Sequence, residues 1–254
     1  MAGGVEPSEM KARGVTEIET ELGGVRAVLM PERAVYVPGE RVLLVADTHW
    51  GKAEAMRRGG VGVPTGTGDE QRARLTRAIE RSGARRVVVV GDLVHAPIGL
   101  SDRVIERART WVAAVHELGV EAIEVVEGNH DAKLGRERLG AFLEEVGIVG
   151  LGREARLTCG LVLRHHPPEE APGDGAWAMA EPRGYVVCGH VHPAAVVRGR
   201  GDEIKMPCFW ADQGRCVLPA FSRFIAGKRI VRRAGDRVFA AAGDRVVEVP
   251  RGVG

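Results

Sequence analysis

Three apolar runs in the first half of the chain stop abruptly at side chains that carry oxygen and nitrogen. Arg41–Ala46 runs into Asp47, Arg86–Val90 into Gly91-Asp92, and Ala122–Val126 into Glu127-Gly128-Asn129-His130-Asp131. Runs of this length without polar alternation read as strands buried on both faces, as in parallel sheets covered by helices. Helical rhythm fills the gaps. Asp69–Arg81 carries Leu75, Ala78 and Ile79 on one face, with Gly83 as its stop and a Gly-rich loop, Gly59–Gly68, before it. A second helix can be capped by Ser101 and ended by Gly119, with Val104, Ile105, Ala108, Trp111, Val112 and Val115 on its apolar face. The order is βαβα, and such sheets gather their chemistry at the carboxyl ends of their strands.

Around this core, Val25–Leu29 and Ala34–Val37 read as short strands joined by a Pro-Glu turn, and Leu139–Val146 as a short helix. After it the texture becomes strand-rich. Ala155–Leu163, Tyr185–Cys188, Ala195–Arg198, Arg215–Leu218 and Val238–Val249 are the candidates. At 254 residues and 44% hydrophobic content, the chain can fill one large α/β domain of two packed sheets with helices outside. The expectation is a loose leader over 1–20 and a single domain over 21–254. Aromatics are only 4%, so Val, Ala, Leu and Ile must build the core.

The formal charge of +2 names no partner. Cys159, Cys188, Cys208 and Cys216 form no CxxC pair and read as buried free thiols. The first residues lack the apolar stretch of a signal peptide, and no run of 18 apolar residues suggests a membrane span. A soluble cytoplasmic protein with no membrane partner is expected.

Five short segments carry the chemistry: Asp47-Thr48-His49, Gly91-Asp92, Gly128–Asp131, Arg164-His165-His166-Pro167 and Gly189-His190-Val191-His192. Each follows a strand candidate. Asp47 and His49 are two apart, as are His190 and His192, so an extended backbone would send each pair to one side of the sheet. Asp92 offers two oxygens that can bridge two ions, Asn129 a neutral carbonyl oxygen, and His165 a further imidazole. These seven residues suffice for two divalent ions. Without a thiolate, the set prefers Mn²⁺ or Fe, with Zn²⁺ possible. One such segment alone would pass for a cap or turn. Five in this order, holding or flanking seven of the eight histidines, resist that account.

The pattern Asp-x-His, Gly-Asp, Gly-Asn-His-Asp, His and Gly-His-x-His resembles that of the calcineurin-like metallophosphoesterase superfamily. The resemblance implies a four-layer α/β/β/α sandwich. It places one ion on Asp47, His49, Asp92 and His192 and a second on Asp92, Asn129, His165 and His190. His165 and His166 are adjacent and either can be the ligand; the relatives' His-x-Pro favours His165, and a continuing strand would make the two side chains diverge. Two ions clamp a phosphoryl group and activate a shared water. By resemblance His130 binds no metal and serves the transition state or the leaving oxygen, with Asp131 orienting it through its other ring nitrogen. Lys52, His95 and Arg164 are candidates for phosphate contacts, His95 also for contact with a ligand histidine.

A wider stretch, roughly 20–235, looks like the ligase-associated DNA damage response endonucleases. It includes Asp47-Thr48-His49-Trp50-Gly51-Lys52 and Lys205-Met206-Pro207-Cys208-Phe209. Thr48 and Trp50 depart from that subgroup's Asp-Leu-His-Leu-Gly-Lys, and Trp50 can wall a pocket or stack on a base. The resemblance implies a nuclease acting on DNA, with DNA-repair proteins as partners. No basic tail or helix-turn-helix pattern supports it independently. The alternatives are a phosphodiesterase or phosphatase on nucleotides or other small esters, a protein phosphatase, and a non-catalytic DNA-binding scaffold.

Overall fold

Burial alternates along the central strands, and this explains their unbroken apolar sequence. Leu43, Val45, Val87, Val89, Ile123 and Val125 face a helical layer, whereas Val42, Leu44, Ala46, Val88, Val90 and Val126 face a second sheet. Either parity exposed to water would have given polar residues at every second position. The computed structural model describes residues 16–64, 66–168, 184–198 and 203–251.

The first sheet has seven strands in chain order: β1 (Ile18–Leu22), β2 (Val25–Met30), β3 (Ala34–Val37), β4 (Val42–Val45), β5 (Arg86–Val90), β6 (Ala122–Val126) and β7 (Val149–Gly150). β1 to β4 pair antiparallel and β4 to β7 parallel. Five helices interrupt them: α1 (Lys52–Arg58), α2 (Thr67–Ser82), α3 (Asp102–Glu117), α4 (Asn129–Ala132) and α5 (Arg136–Val146). Leu75 and Ile79 of α2, Trp111 and Val115 of α3, and Phe142 and Val146 of α5 close the outer core on this sheet.

The second sheet comprises β8 (Glu154–Arg156), β9 (Val162–Arg164), β10 (Val186–Cys188), β11 (Pro193–Arg198), β12 (Glu203–Ala211), β13 (Arg215–Val217), β14 (Lys228–Arg229), β15 (Arg237–Ala242) and β16 (Arg245–Glu248). Its path is β14-β11-β12-β13-β10-β9-β8, with β15 joining β12 and β16 joining β15. Leu163, Val187, Phe209, Leu218 and Phe239 meet the first sheet across the inner core. The fold is a two-sheet α/β sandwich, and the helices of the described residues all precede the second sheet.

Several sequence expectations need correction. β1 starts inside the expected leader, and Thr16 already bridges Arg245; residues 1–15 lie outside the described residues. Ala155–Leu163 and Val238–Val249 are each two antiparallel strands around a turn, because Gly160 and Gly243 take left-handed φ. β12, nine residues long, is absent from the sequence expectations, since its start is polar and exposed and Pro207 lies within it. α1 also escaped detection, having no buried residue and hence no apolar stripe. Ser101 does sit at the α3 N-cap, but its hydroxyl makes no capping bond. The four cysteines are free; Cys188, Cys208 and Cys216 are buried and Cys159 is half-buried.

Candidate metal centre

The carboxyl ends of β4, β5 and β6 are laced together by backbone hydrogen bonds. The Asp47 N–H donates to the Gly91 carbonyl at 3.1 Å and the His49 N–H to the Asp92 carbonyl at 2.8 Å. The His130 N–H donates to Asp92 Oδ1 at 2.8 Å. From the second sheet, the Gly189 N–H donates to the His165 carbonyl at 3.1 Å, and the His190 N–H to Asp47 Oδ2, also at 3.1 Å. Ligand-bearing loops of both sheets therefore meet at one place. Two glycines permit the approach. A Cβ on Gly128 would lie 2.2 Å from Asp92 Oδ1, and one on Gly91 2.1 Å from His165 Nδ1.

The backbone at these residues is not extended, contrary to the expectation for the two i, i+2 pairs. Asp47 has φ 55°, His49 46°, Asp92 53°, His190 69° and His192 53°. Only two other non-glycine residues among those described, Arg33 and Arg41, share this left-handed region. Such conformations cost energy and persist where surrounding contacts impose them, which is common at functional sites.

The side chains converge accordingly. His192 Nε2 lies 3.1 Å from Asp47 Oδ1. Asp92 Oδ2 lies 3.6 Å from His49 Nε2 and 3.4 Å from His165 Nε2. His165 Nε2 lies 2.9 Å from Asn129 Oδ1, and His190 Nδ1 lies 3.1 Å from the same oxygen. All seven expected metal-binding residues are brought together. Asp47 also groups with Asp92 and His165, with ligand atoms within 4.8 Å of one another.

His165 and His166 do not diverge as a continuing strand would require, because β9 ends at Arg164. Both imidazoles group with His190, and the His166 and His190 rings stand 4.1 Å apart. Contact with Asp92 and Asn129 belongs to His165. His166, the alternative ligand that adjacency to His165 offers, lies at the edge of the same cluster.

The electrostatics suit a cation. Burial drives His49 down to about 2, and burial with the His165 charge drives His190 down to about 4, so both present neutral rings. His165 is the exception: burial opposes its charge, but the hydrogen bond and charge of Asp92 lift it to about 9. Burial alone would raise Asp92, yet His165 and then His49 hold its carboxyl below the usual range. The buried Nε2 atoms of His49 and His192 have no hydrogen-bond partner. Four imidazoles, two carboxylates, an amide oxygen and no thiolate form a donor set that fits Mn²⁺, Fe or Zn²⁺, with an ion taking the place of the proton on His165.

Residues 40–151 match the family model for calcineurin-like phosphoesterases. This stretch is a calcineurin-like phosphoesterase domain. The crystal structure of Pseudomonas putida nuclease MPE is similar over 92% of this chain and 100% of that one, at 26% identity and a TM-score of 0.73. No curated protein matches by sequence. The match to the calcineurin-like phosphoesterase model stops before His165, His190 and His192, which the second sheet supplies.

Beside the candidate ligands of this phosphoesterase domain, His130 Nδ1 lies 2.6 Å from the His95 carbonyl, and the two rings stack at 5.0 Å. Its ring also stands edge-on to His49, with centroids 4.8 Å apart. Asp131 does not orient His130. Its fully buried carboxylate accepts the backbone N–H groups of Leu93, Val94 and Gly128 at 3.2, 2.9 and 2.9 Å. Burial, reinforced by the Asp92 charge, pushes Asp131 up to about 7.

His95 Nδ1 faces His49 Nδ1 at 3.4 Å, so it touches a candidate ligand as expected. Lys52 opens α1, and its burial lowers its pKa while Asp92 opposes that shift. Arg164 is 3% exposed at the end of β9, on the strand face of Val162, and its charge reaches His166, whose pKa it helps to lower. Arg57 and Arg58 are engaged by Glu54. Trp50 packs edge-on against Trp111 at 5.6 Å and is half-buried.

Proposed function

We propose that this chain is a phosphodiesterase that uses two divalent ions to cleave DNA. One observation carries the reading: a single carboxylate oxygen, Asp92 Oδ2, stands between His49 Nε2 and His165 Nε2. It belongs to two groups of donors at once, each of which would hold one ion. One group is Asp47, His49, Asp92 and His192; the other is Asp92, Asn129, His165 and His190. Mn²⁺ is the proposed native ion, and the cytoplasm the proposed compartment. Similarity to a nuclease at 26% identity supports a nucleic-acid phosphodiester as substrate; DNA, and a role in its repair, are proposed from the sequence resemblance to the ligase-associated DNA damage response endonucleases.

Bound ions would supply Lewis acidity toward a phosphoryl oxygen and a water. The chain's own residues do the rest. Because the His95 carbonyl accepts from His130 Nδ1, that nitrogen carries the hydrogen and Nε2 is left to exchange a proton. In its charged form His130 gives the Nε2 proton to the departing oxygen. With Nε2 given to an ion, His49 would carry its hydrogen on Nδ1 and donate it to His95 Nδ1, which fixes the ring's orientation. Lys52 adds positive charge beside the phosphate.

A substrate panel with Mn²⁺ tests the reading: single-stranded DNA, duplex DNA, cyclic nucleotides and an aryl phosphodiester. Cleavage of DNA is expected. Turnover of the small diesters with intact DNA would sink the nuclease assignment while leaving the phosphodiesterase.

A further inference from the structure

The loop between β13 and β14 is anchored at both ends on the segments that carry candidate ligands. At its start the Phe221 N–H donates to the Ala46 carbonyl at 2.8 Å and the Ser222 N–H to the Asp47 carbonyl at 3.1 Å. At its end the Lys228 N–H donates to the His192 carbonyl at 2.8 Å. Gly227 makes the second anchor possible, since a Cβ there would lie 2.7 Å from Ala194 Cβ. β14 then continues parallel to β11 as the edge of the second sheet. Both of its side chains, Lys228 and Arg229, are exposed, and among the described residues no carboxylate pairs with either. Midway, Phe224 lines a cleft of about 70 Å³ together with Trp50, Arg57 and Arg107.

We infer that this loop, from Ser222 to Arg229, is the track on which a nucleic-acid strand lies beside the metal centre, with flanking phosphates on Lys228 and Arg229. The inference rests on the nuclease reading and names how that substrate is held. A small phosphoester needs only the donors at the centre. Free cations one and two residues beyond the Gly227–His192 contact serve a substrate that continues past the reacting phosphate. An acidic peptide would use the cations but leave the aromatic wall of Trp50 and Phe224 idle, whereas a polynucleotide brings bases that stack on such surfaces.

The test is binding of a labelled single-stranded oligonucleotide to the full chain, followed by fluorescence anisotropy across a salt series in excess chelator. Removing two phosphate contacts with Lys228→Gln/Arg229→Gln should flatten the slope of log affinity against log salt by about 1.4. Affinity near 0.1 M salt should fall about tenfold or more. Unchanged affinity and slope in a variant with a wild-type melting curve overturn the track. If the double variant melts early, the single Lys228→Gln change, expected to flatten the slope by about 0.7, decides in its place. A wild-type protein that hydrolyses an aryl phosphodiester but neither binds nor cleaves DNA refutes the nuclease reading itself, and the track with it. Wild-type DNA cleavage combined with an unaltered salt slope in the variant refutes the track alone.

Discussion

The buried carboxylate of Asp131 accepts the backbone N–H of Val94 at 2.9 Å and so ties the loop after β6 to the loop after β5. With Leu93 and Gly128 it closes three backbone donors that have no other described partner. Asp131→Ala would leave them unpaired, at about 1–3 kcal/mol each, so a loss of about 3 kcal/mol or more is expected in urea unfolding. Asp131→Asn, which keeps one acceptor oxygen, should fall between. Full stability with abolished turnover would return Asp131 to a direct part in catalysis.

His130→Ala removes the proposed proton donor, and a ring that packs on His49, while leaving all seven candidate ligands in the chain. Turnover of DNA and of an aryl diester should drop about 10²- to 10⁴-fold. Metal content, read by elemental analysis, should remain at the wild-type value. Loss of metal alongside activity would make His130 a ligand instead.

Asp92→Asn weakens both donor groups at once. The variant should hold fewer ions than wild type after dialysis against Mn²⁺. Because ions that bind only the native state stabilise it, chelation should lower the wild-type melting temperature. The variant's melting temperature should respond far less. An equal response in both would argue against Asp92 as the bridge.

Gly128 and Gly140 should behave in opposite ways. A methyl on Gly128 meets Asp92 backbone nitrogen at 2.3 Å, where nothing flexible can yield. Gly128→Ala should cost about 1–3 kcal/mol and impair metal binding. Gly140 sits within α5 with nothing within 4 Å of an added Cβ. Gly140→Ala should therefore stabilise by about 0.5–1 kcal/mol in the same assay.

Burial pushes the Cys208 and Cys216 thiols up to about 12. A raised pKa keeps a thiol neutral, so at pH 8 neither should supply the thiolate that attacks Ellman's reagent. The native protein should titrate no more than one accessible thiol, Cys159, and the unfolded protein four. Reactivity of the buried pair should climb only as the pH nears 12 or the fold opens. Rapid reaction of all four at pH 8 would contradict this burial.

Much of the first sheet was legible because its physics is local. Arg86–Val90 and Ala122–Val126 coincide with β5 and β6, since strands buried on both faces leave an unbroken apolar run. α2 could be read from Leu75, Ala78 and Ile79, and ends at Gly83 in the left-handed region as anticipated. The second half was harder. Its strands are short, its hairpins merge into single apolar stretches, and Pro207 disguises the longest of them.

The sequence by itself determined which side chains are offered for chemistry: Asp47, His49, Asp92, Asn129, His165, His190 and His192, each just past a strand. Residue type and position after an apolar run are local properties, and local reading reaches them. Only the tertiary structure decided how they meet. It set five of these residues in left-handed backbone rather than extended strand, gave Asp92 and Asn129 to His165 rather than His166, took Asp131 away from His130, and buried Arg164 at the end of β9. Those outcomes depend on packing two sheets whose strands lie up to 143 residues apart where His190 meets Asp47. No local periodicity encodes the distance between side chains so far apart along the chain.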